Sequence, residues 1–118
     1  MTAVRRRAWL AAGLLAAGLG FSAAADRAAA EEAAVNPFLG DPQAIAEGRR
    51  VYRTRCVICH GRSGGRGPNL FATRLSDEQF LETVINGRKG TQMPAFGYRM
   101  SPDDVWMVHA FVKSTDRY

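Results

Sequence analysis

Five consecutive residues, Cys56-Val57-Ile58-Cys59-His60, constrain this chain more than any other stretch. They contain its only two cysteines and one of its two histidines. The pattern C-x-x-C-H is the attachment signature of c-type haem: each thiol forms a thioether with one vinyl group, and the histidine offers a nitrogen to the iron. We therefore expect Cys56 and Cys59 to hold one covalent haem c and His60 to be an axial iron ligand.

Two other uses of a cysteine pair fit the surrounding sequence poorly. A thioredoxin-like redox pair needs strands around it, and no alternating apolar stretch is long enough to predict one. A zinc site usually needs four ligands. Beyond the two cysteines the chain offers only His60 and the distant His109, and His60 follows Cys59 too closely for a zinc-finger spacing.

The N-terminal region has the pattern of a secretory signal peptide. Residues 5–7 are three arginines, residues 9–21 are mainly apolar, and residues 22–25 are small. We predict that residues 1–25 are a signal peptide, with cleavage after Ala25 or Ala30. An uncleaved anchor is the alternative, although the many alanines and glycines would make a weak spanning helix. The expected location is the periplasm, without stable membrane insertion after cleavage.

The remaining chain divides into a predicted flexible tail, residues 26–40, and a predicted domain, residues 41–118. From Asp26 onward there are 13 Lys and Arg against 11 Asp and Glu, so the net charge is only +2. This mild charge and the export signal argue against nucleic acid as a partner. A chain of this size is small for a self-sufficient core, and a covalent haem would supply a large apolar surface for packing.

The domain is predicted to be all-α, with three principal helices. Capping residues and glycine terminators predict helices from Asp41 to about Arg53 or Arg55, from Ser76 to Asn86, and from Ser101 to about residue 113. A short helical turn is expected near residues 70–75. Glycine-rich loops separate the helices, and Gly48 is expected to permit close approach by another helix.

Residues 40–118 resemble a small class I c-type cytochrome. The resemblance rests on several motifs in the family's order: Gly48-x-x-x-Tyr52-x-x-x-Cys56-x-x-Cys59-His60, Gly67-Pro68-Asn69-Leu70, Asn86-Gly87, Met93-Pro94, and the aromatic last helix around Phe111. The pattern is also similar to small cytochromes that accept electrons from periplasmic quinoprotein alcohol dehydrogenases. The resemblance implies the cytochrome c fold, with crossed terminal helices that bring Tyr52 against Phe111.

The resemblance also implies a ligand set. In the family a loop proline carbonyl holds the second ring nitrogen of the axial histidine, and Pro68 is the matching residue. Four residues could bind the sixth iron position: Met93, Met100, Met107 and His109. Met93 is favoured because it lies in a loop before a stiffening proline and matches the family position. Met100 is expected to pack, and His109 is expected on a helix surface.

The expected function is a periplasmic electron-transfer haemoprotein, not an enzyme, that shuttles single electrons through a His/Met-ligated haem c. Expected partners are a quinoprotein dehydrogenase as donor and a cytochrome oxidase or another cytochrome as acceptor. Two alternatives remain: a haem c subunit docked permanently to a dehydrogenase or oxidase, and a five-coordinate haem sensor or enzyme. Arginines near the motif are expected to steer an acidic redox partner.

Overall fold

The structure, a computed structural model, describes residues 32–114, which belong to one compact unit. The predicted signal peptide and both predicted cleavage sites lie outside the described residues. The helices in chain order are α1 (Pro42–Arg55), α2 (Val57–His60), a 3-10 turn (Leu70–Ala72), α3 (Asp77–Asn86) and α4 (Pro102–Lys113). Between residues 32 and 114 there is no strand, so the all-α prediction is confirmed.

The three long helices begin where the sequence provides caps. The Asp41 carboxylate accepts hydrogen bonds from two amides in the first turn of α1. Ser76 and Gln79 form a reciprocal capping box at the start of α3, and Ser101 and Asp104 form another at the start of α4. Each cap satisfies amide groups that have no partner within the helix. The short helix α2 was not expected as a separate element, and it positions the cysteine–histidine motif.

The core is built where α1 crosses α4. Gly48 lies at this crossing, and a Cβ atom there would overlap the backbone carbonyl of Met107. The Tyr52 ring lies 5.5 Å from the Phe111 ring and 5.3 Å from the Phe71 ring, measured between centroids. Both predictions for this crossing are therefore confirmed: the glycine permits close approach, and Tyr52 contacts Phe111.

The α3 helix packs against α4 through Phe80, whose ring centroid lies 4.6 Å from that of His109. The prediction that His109 lies on a helix surface is wrong, because its exposed fraction is 0%. His109 is buried because α4 is covered on several sides, by α1, by α3 and by the segment before α1.

The segment before α1 contributes a buried residue to this cover. Asn36 is only 4% exposed, and its side chain donates a hydrogen bond to the Trp106 carbonyl at 2.8 Å. The sequence predicted a flexible tail here because the segment has no apolar periodicity. The side chain that anchors the segment is polar, and a single polar residue produces no apolar periodicity.

Within residues 32–114, no helix is both long enough and apolar enough to cross a bilayer.

Candidate haem-attachment site

The two cysteines and the histidine of the motif lie on one turn of helix. Cys56 closes α1, with its amide donating to the Tyr52 carbonyl at 2.9 Å, and it keeps right-handed helical dihedral angles. The amides of Cys59 and His60 then both donate to the Cys56 carbonyl, at 3.2 and 3.0 Å. The chain therefore passes directly from α1 into α2, and this turn sets the spacing of both thiols and the imidazole.

Both cysteines are free thiols of intermediate exposure. Burial raises the pKa of the Cys56 thiol to about 11; nearby Arg55 acts in the opposite direction, and Cys59 raises it slightly. Redox-active and nucleophilic cysteines depend on a lowered pKa, because the thiolate is the reactive form. Before haem attachment Cys56 is therefore uncharged near neutral pH, which is unfavourable for a thioredoxin-like disulfide exchange.

The His60 ring is held in one orientation by the loop that follows it. Its Nδ1 lies 2.7 Å from the Pro68 carbonyl oxygen, and the residue is 8% exposed. Because a carbonyl can only accept, Nδ1 carries the proton and donates it, and Nε2 is the ring nitrogen with an available lone pair. A metal-binding histidine typically has its second nitrogen fixed in this way.

Gly67 makes room for that ring. A Cβ atom at this position would lie 2.6 Å from Cε1 and 2.7 Å from Nδ1 of His60, well inside van der Waals contact. The sequence matched Gly67 to the family motif, but it could not show that the missing side chain makes room for the imidazole. Only the folded loop brings the two residues together.

Two hydrogen bonds tie the same loop to the helices. The buried Tyr52 hydroxyl donates to the Gly61 carbonyl at 2.5 Å, and the Gly67 amide donates to the Cys59 carbonyl at 2.9 Å. The loop is thus held from α1 at its start and from α2 near its end. The sequence indicated Tyr52 as a packing residue, and its hydroxyl contact went unpredicted.

Met93 lies in the loop between α3 and α4, and the end of α3 fixes the course of this loop. The Phe96 amide donates to the Val84 carbonyl at 2.9 Å, and the Gly97 amide donates to the Ile85 carbonyl at 3.0 Å. Carbonyls in the last turn of a helix have no partner within the helix, and here the loop supplies one. The backbone just after Met93 is therefore attached to α3.

The backbone of Met93 itself is held by a tight turn. Its carbonyl accepts from the Arg88 amide at 3.2 Å, and its amide donates to the Thr91 hydroxyl oxygen at 3.2 Å. The Thr91 hydroxyl donates in turn to the Arg88 carbonyl at 2.7 Å. Gly87 begins this turn with φ of 70°, a left-handed conformation that favours glycine.

The other three candidates for the sixth ligand have different surroundings. Met100 is buried in the hydrophobic core, which confirms the expectation that it packs. Met107 is half-buried on α4, where its carbonyl faces Gly48. Nδ1 of His109 lies 2.9 Å from the Asn36 side chain, inside the core. Of the four, only Met93 is both half-buried and in a loop.

Residues 43–112 match the family model described as "Cytochrome C oxidase, cbb3-type, subunit III". The chain belongs to this family of c-type cytochrome domains. Its cofactor is one covalently attached haem c, as predicted from the motif. The resemblance to class I c-type cytochromes and the cytochrome c fold are likewise confirmed.

Relatives of this cytochrome include segments of longer proteins of several kinds. It is 32% identical to the cbb3-type cytochrome c oxidase subunit FixP of Azorhizobium caulinodans, over 62% of this chain and 28% of that protein. It is 35% identical to the quinohemoprotein alcohol dehydrogenase of Comamonas testosteroni, over 64% of this chain and 11% of that protein. The chain thus corresponds to only a minor part of each relative.

The crystal structure of cytochrome CL from Methylophaga aminisulfidivorans has a similar fold. The TM-score is 0.60 at 25% identity, over 65% of this chain and 56% of the other.

A covalently attached haem needs apolar side chains to pack against its ring. In this cytochrome, partly buried apolar side chains pack against the core from the 3-10 turn, from α3 and from the Met93 loop; they are Leu70, Phe71, Leu81, Val84, Ile85 and Phe96.

The residues present therefore fit a haem c. Cys56 and Cys59 form no disulfide, the imidazole has Nε2 available, and apolar side chains of the 3-10 turn, of α3 and of the Met93 loop are only partly buried. A zinc interpretation has no such support: the described residues hold no cluster of three or more His, Cys, Asp or Glu side chains able to bind a metal ion.

Charge is distributed unevenly along the cytochrome. Residues 49–76, which include the motif and its loop, contain seven arginines and no acidic residue. Residues 83–102, which include the Met93 loop, contain three basic residues and no acidic one. Five of the eight acidic residues between residues 32 and 114 lie instead at a helix N-cap or in the first turn of a helix. Ile58, between the two cysteines, is 80% exposed. Both loops thus present basic surface, with an exposed apolar side chain inside the motif.

Proposed function

We propose that this cytochrome is an exported electron carrier in which His60 and Met93 bind the haem iron axially and Cys56 and Cys59 form the thioethers. The observation that carries this proposal is the 2.7 Å contact between His60 Nδ1 and the Pro68 carbonyl. It leaves Nε2 for the metal and increases the basicity of the ring. The Met93 backbone, held by the end of α3 and by the Thr91 turn, supports the second half of the ligand set.

The haem supplies the one-electron couple, and the protein's residues set its conditions. His60 and the Met93 loop are both tied to helices, so each ligand stays in place when the charge of the iron changes. A methionine and histidine pair gives a higher potential than two histidines. With His60 and Met93 both bound to the iron, no position would remain for a substrate, which favours a carrier over an enzyme.

The proposed partners are a quinoprotein dehydrogenase as donor and a cytochrome oxidase or another cytochrome as acceptor. Relatives of both kinds support this: a quinohemoprotein alcohol dehydrogenase and cbb3-type oxidase subunits. The basic residues of 49–76 and 83–102 favour an acidic docking surface, because complementary charge accelerates encounter at low salt. Electron-transfer rates measured by stopped flow with such a dehydrogenase should therefore fall as ionic strength rises. A rate that does not depend on salt would contradict this docking surface.

The ligand set can be tested by optical and magnetic spectroscopy of the ferric protein during a redox titration. The wild type should be low-spin and six-coordinate, with one haem per chain. Met93→Ala should open the sixth position and lower the potential, whereas Met100→Leu should leave the spectrum unchanged because Met100 packs in the core. A five-coordinate, high-spin wild type would instead support the sensor or enzyme alternative.

A second candidate function is a haem c module permanently docked to a dehydrogenase or oxidase. It is favoured by one observation: the matching parts of the relatives are segments of longer proteins, 28% of FixP and 11% of the alcohol dehydrogenase. Gel filtration of the cytochrome alone and with each candidate enzyme would separate the two functions. A carrier elutes alone at micromolar concentration, and a docked module co-elutes with its enzyme. Sequencing the N-terminus of protein recovered from the periplasm would test export and cleavage.

A further inference from the structure

A buried polar cluster joins the N-terminal segment to α3 and α4, away from the proposed ligands. The Asn36 side-chain amide lies 2.8 Å from the Trp106 carbonyl and 2.9 Å from Nδ1 of His109. The Asn36 backbone amide donates to the Asp77 carboxylate at 2.8 Å. His109 is completely buried, and its Nε2 lies 3.7 Å from the other Asp77 oxygen. Three elements therefore meet at one ionisable side chain.

The backbone around Asn36 fixes the orientation of its amide. The Trp106 carbonyl can only accept, so the atom facing it must be the NH₂ group, Nδ2. The Phe38 amide can only donate, and it lies 2.8 Å from the other atom, which must be Oδ1. Nδ2 then donates its second hydrogen to His109 Nδ1. His109 Nδ1 is consequently unprotonated, and the neutral ring carries its proton on Nε2.

We propose that His109 is a pH-sensitive latch that holds residues 36–40 against α3 and α4 only while its ring is neutral. A protonated imidazole donates from both nitrogens, so Nδ1–H would face the donating Nδ2 group of Asn36. Rotating the amide does not relieve the conflict. Rotation would turn Oδ1 toward the Trp106 carbonyl and Nδ2 toward the Phe38 amide, which opposes like groups at two positions.

The groups around His109 determine when the latch opens. Burial has the largest effect and lowers the pKa of His109; Asp77 on α3 acts in the opposite direction, and Lys113 on α4 adds to the lowering. From the N-terminal segment, the group that faces His109 is the side chain of Asn36, which carries no charge. Phe80 and Trp106 contribute only aromatic rings, with centroids at 4.6 and 6.1 Å from the imidazole. The latch is closed near neutral pH and opens in acid.

Opening would change how the domain is tethered to the residues before it. Residues 36–40 are the last before the cap of α1, and five extended residues span about 17 Å. This consequence rests on the proposed export: an exported protein is exposed to the pH of its surroundings, so acid would release residues 36–40 from α3 and α4. The proposed ligands lie on other segments, and the haem spectrum should not follow this transition.

The test is backbone amide hydrogen exchange of the full-length, haem-loaded protein as a function of pH, in the wild type and in His109→Gln. Glutamine can accept the Asn36 hydrogen bond through its carbonyl but does not titrate. In the wild type, the protection factors of the Asn36 and Phe38 amides should fall by up to tenfold per pH unit below the pKa of His109. In His109→Gln they should stay constant over the same range, and the Phe96 amide in the Met93 loop should stay constant in both proteins.

Equal loss of protection in both proteins would overturn the latch and assign the transition to Asp77. Should His109→Gln fail to fold, the nitrogen-15 chemical shifts of the His109 ring in the wild type decide the matter. A proton on Nε2 at neutral pH, with ring titration that coincides with the loss of Asn36 protection, supports the latch. A proton on Nδ1, or a ring that titrates without changing Asn36, refutes it.

Discussion

Replacing Gly67 by alanine is the smallest change that should alter the iron's electronic environment through His60. The φ angle of Gly67 is not in the left-handed region, so alanine introduces no backbone strain. The only change is one methyl group, placed 2.6 Å from Cε1 and 2.7 Å from Nδ1 of the imidazole. Ordinary contact begins near 3.4 Å, so ring and loop must separate by about 0.8 Å.

A separation of this size would stretch the hydrogen bond that orients the ring almost to its maximum length. Adding it to the 2.7 Å between His60 Nδ1 and the Pro68 carbonyl brings this distance to the limit of a hydrogen bond. If His60 binds the iron as proposed, a weakened bond would make the imidazole a poorer donor to ferric iron, which would raise the reduction potential. If the ferric state loses a hydrogen bond worth about 0.5–1.5 kcal/mol, the rise is roughly 20–60 mV, at 59 mV per tenfold change in a one-electron equilibrium.

Spectroelectrochemical titration of the purified protein measures this shift. Gly65→Ala is the matched control: it changes the same loop, its φ is also outside the left-handed region, and its Cβ would meet the Cys59 carbonyl at 2.9 Å instead of the imidazole. We expect a clear rise in Gly67→Ala and a smaller change in Gly65→Ala. Equal shifts in the two variants, or no shift in Gly67→Ala, would refute the proposed control of the potential through the Pro68 contact.

Three further changes test other parts of the structure. Gly48→Ala should destabilise the folded state by about 1–3 kcal/mol, because backbone atoms of α4 cannot make room as side chains do. Helix propensity alone predicts the opposite, a stabilisation by alanine. Thermal melts of Ala46→Gly, a control at a neighbouring position of the same helix, measure this contribution of helix propensity. Met93→Ala should lower the midpoint potential and convert ferric haem to high spin; an unchanged low-spin spectrum would remove Met93 from the ligand set. Burial lowers the pKa of His109, so between its ordinary and its folded pKa the unfolded chain binds more protons. The free energy of unfolding should therefore decrease as pH falls, by at most about 1.4 kcal/mol per pH unit, and denaturant titrations of His109→Gln should lack this contribution.

The sequence predicted the features of this cytochrome that depend on neighbouring residues. Helix starts follow from Asp41, Ser76 and Ser101, since a cap needs only its own first turn. The motif of Cys56 to His60 is likewise local, and it predicted the cofactor that the family comparison confirms. Packing at Gly48 was predictable because helical periodicity brings it onto one face with Tyr52.

The contacts that escaped prediction join residues far apart in sequence through polar groups. Asn36 meets His109 across 73 positions, and a polar anchor leaves no periodic signal in an otherwise irregular segment. The burial of His109 was missed for the same reason, since it depends on a cover that the sequence did not reveal. The hydroxyl contact of Tyr52 and the space beside Gly67 depend on loop geometry that the identities of the residues alone do not determine.

The two loops that carry the proposed ligands share one design. In each, hydrogen bonds to the backbone fix the ligand: the Pro68 carbonyl orients His60, and the end of α3 and the Thr91 turn hold the backbone around Met93. The charged side chains of the same loops play no part in those bonds. Exposed basic residues such as Arg66, Arg88 and Lys89 are therefore expected to tolerate substitution without movement of the proposed ligands, and we expect partner docking and reduction potential to depend on different atoms of the same loops. Substituting surface arginines should alter association rates with a redox partner while leaving the potential nearly constant, whereas Gly67→Ala should do the reverse.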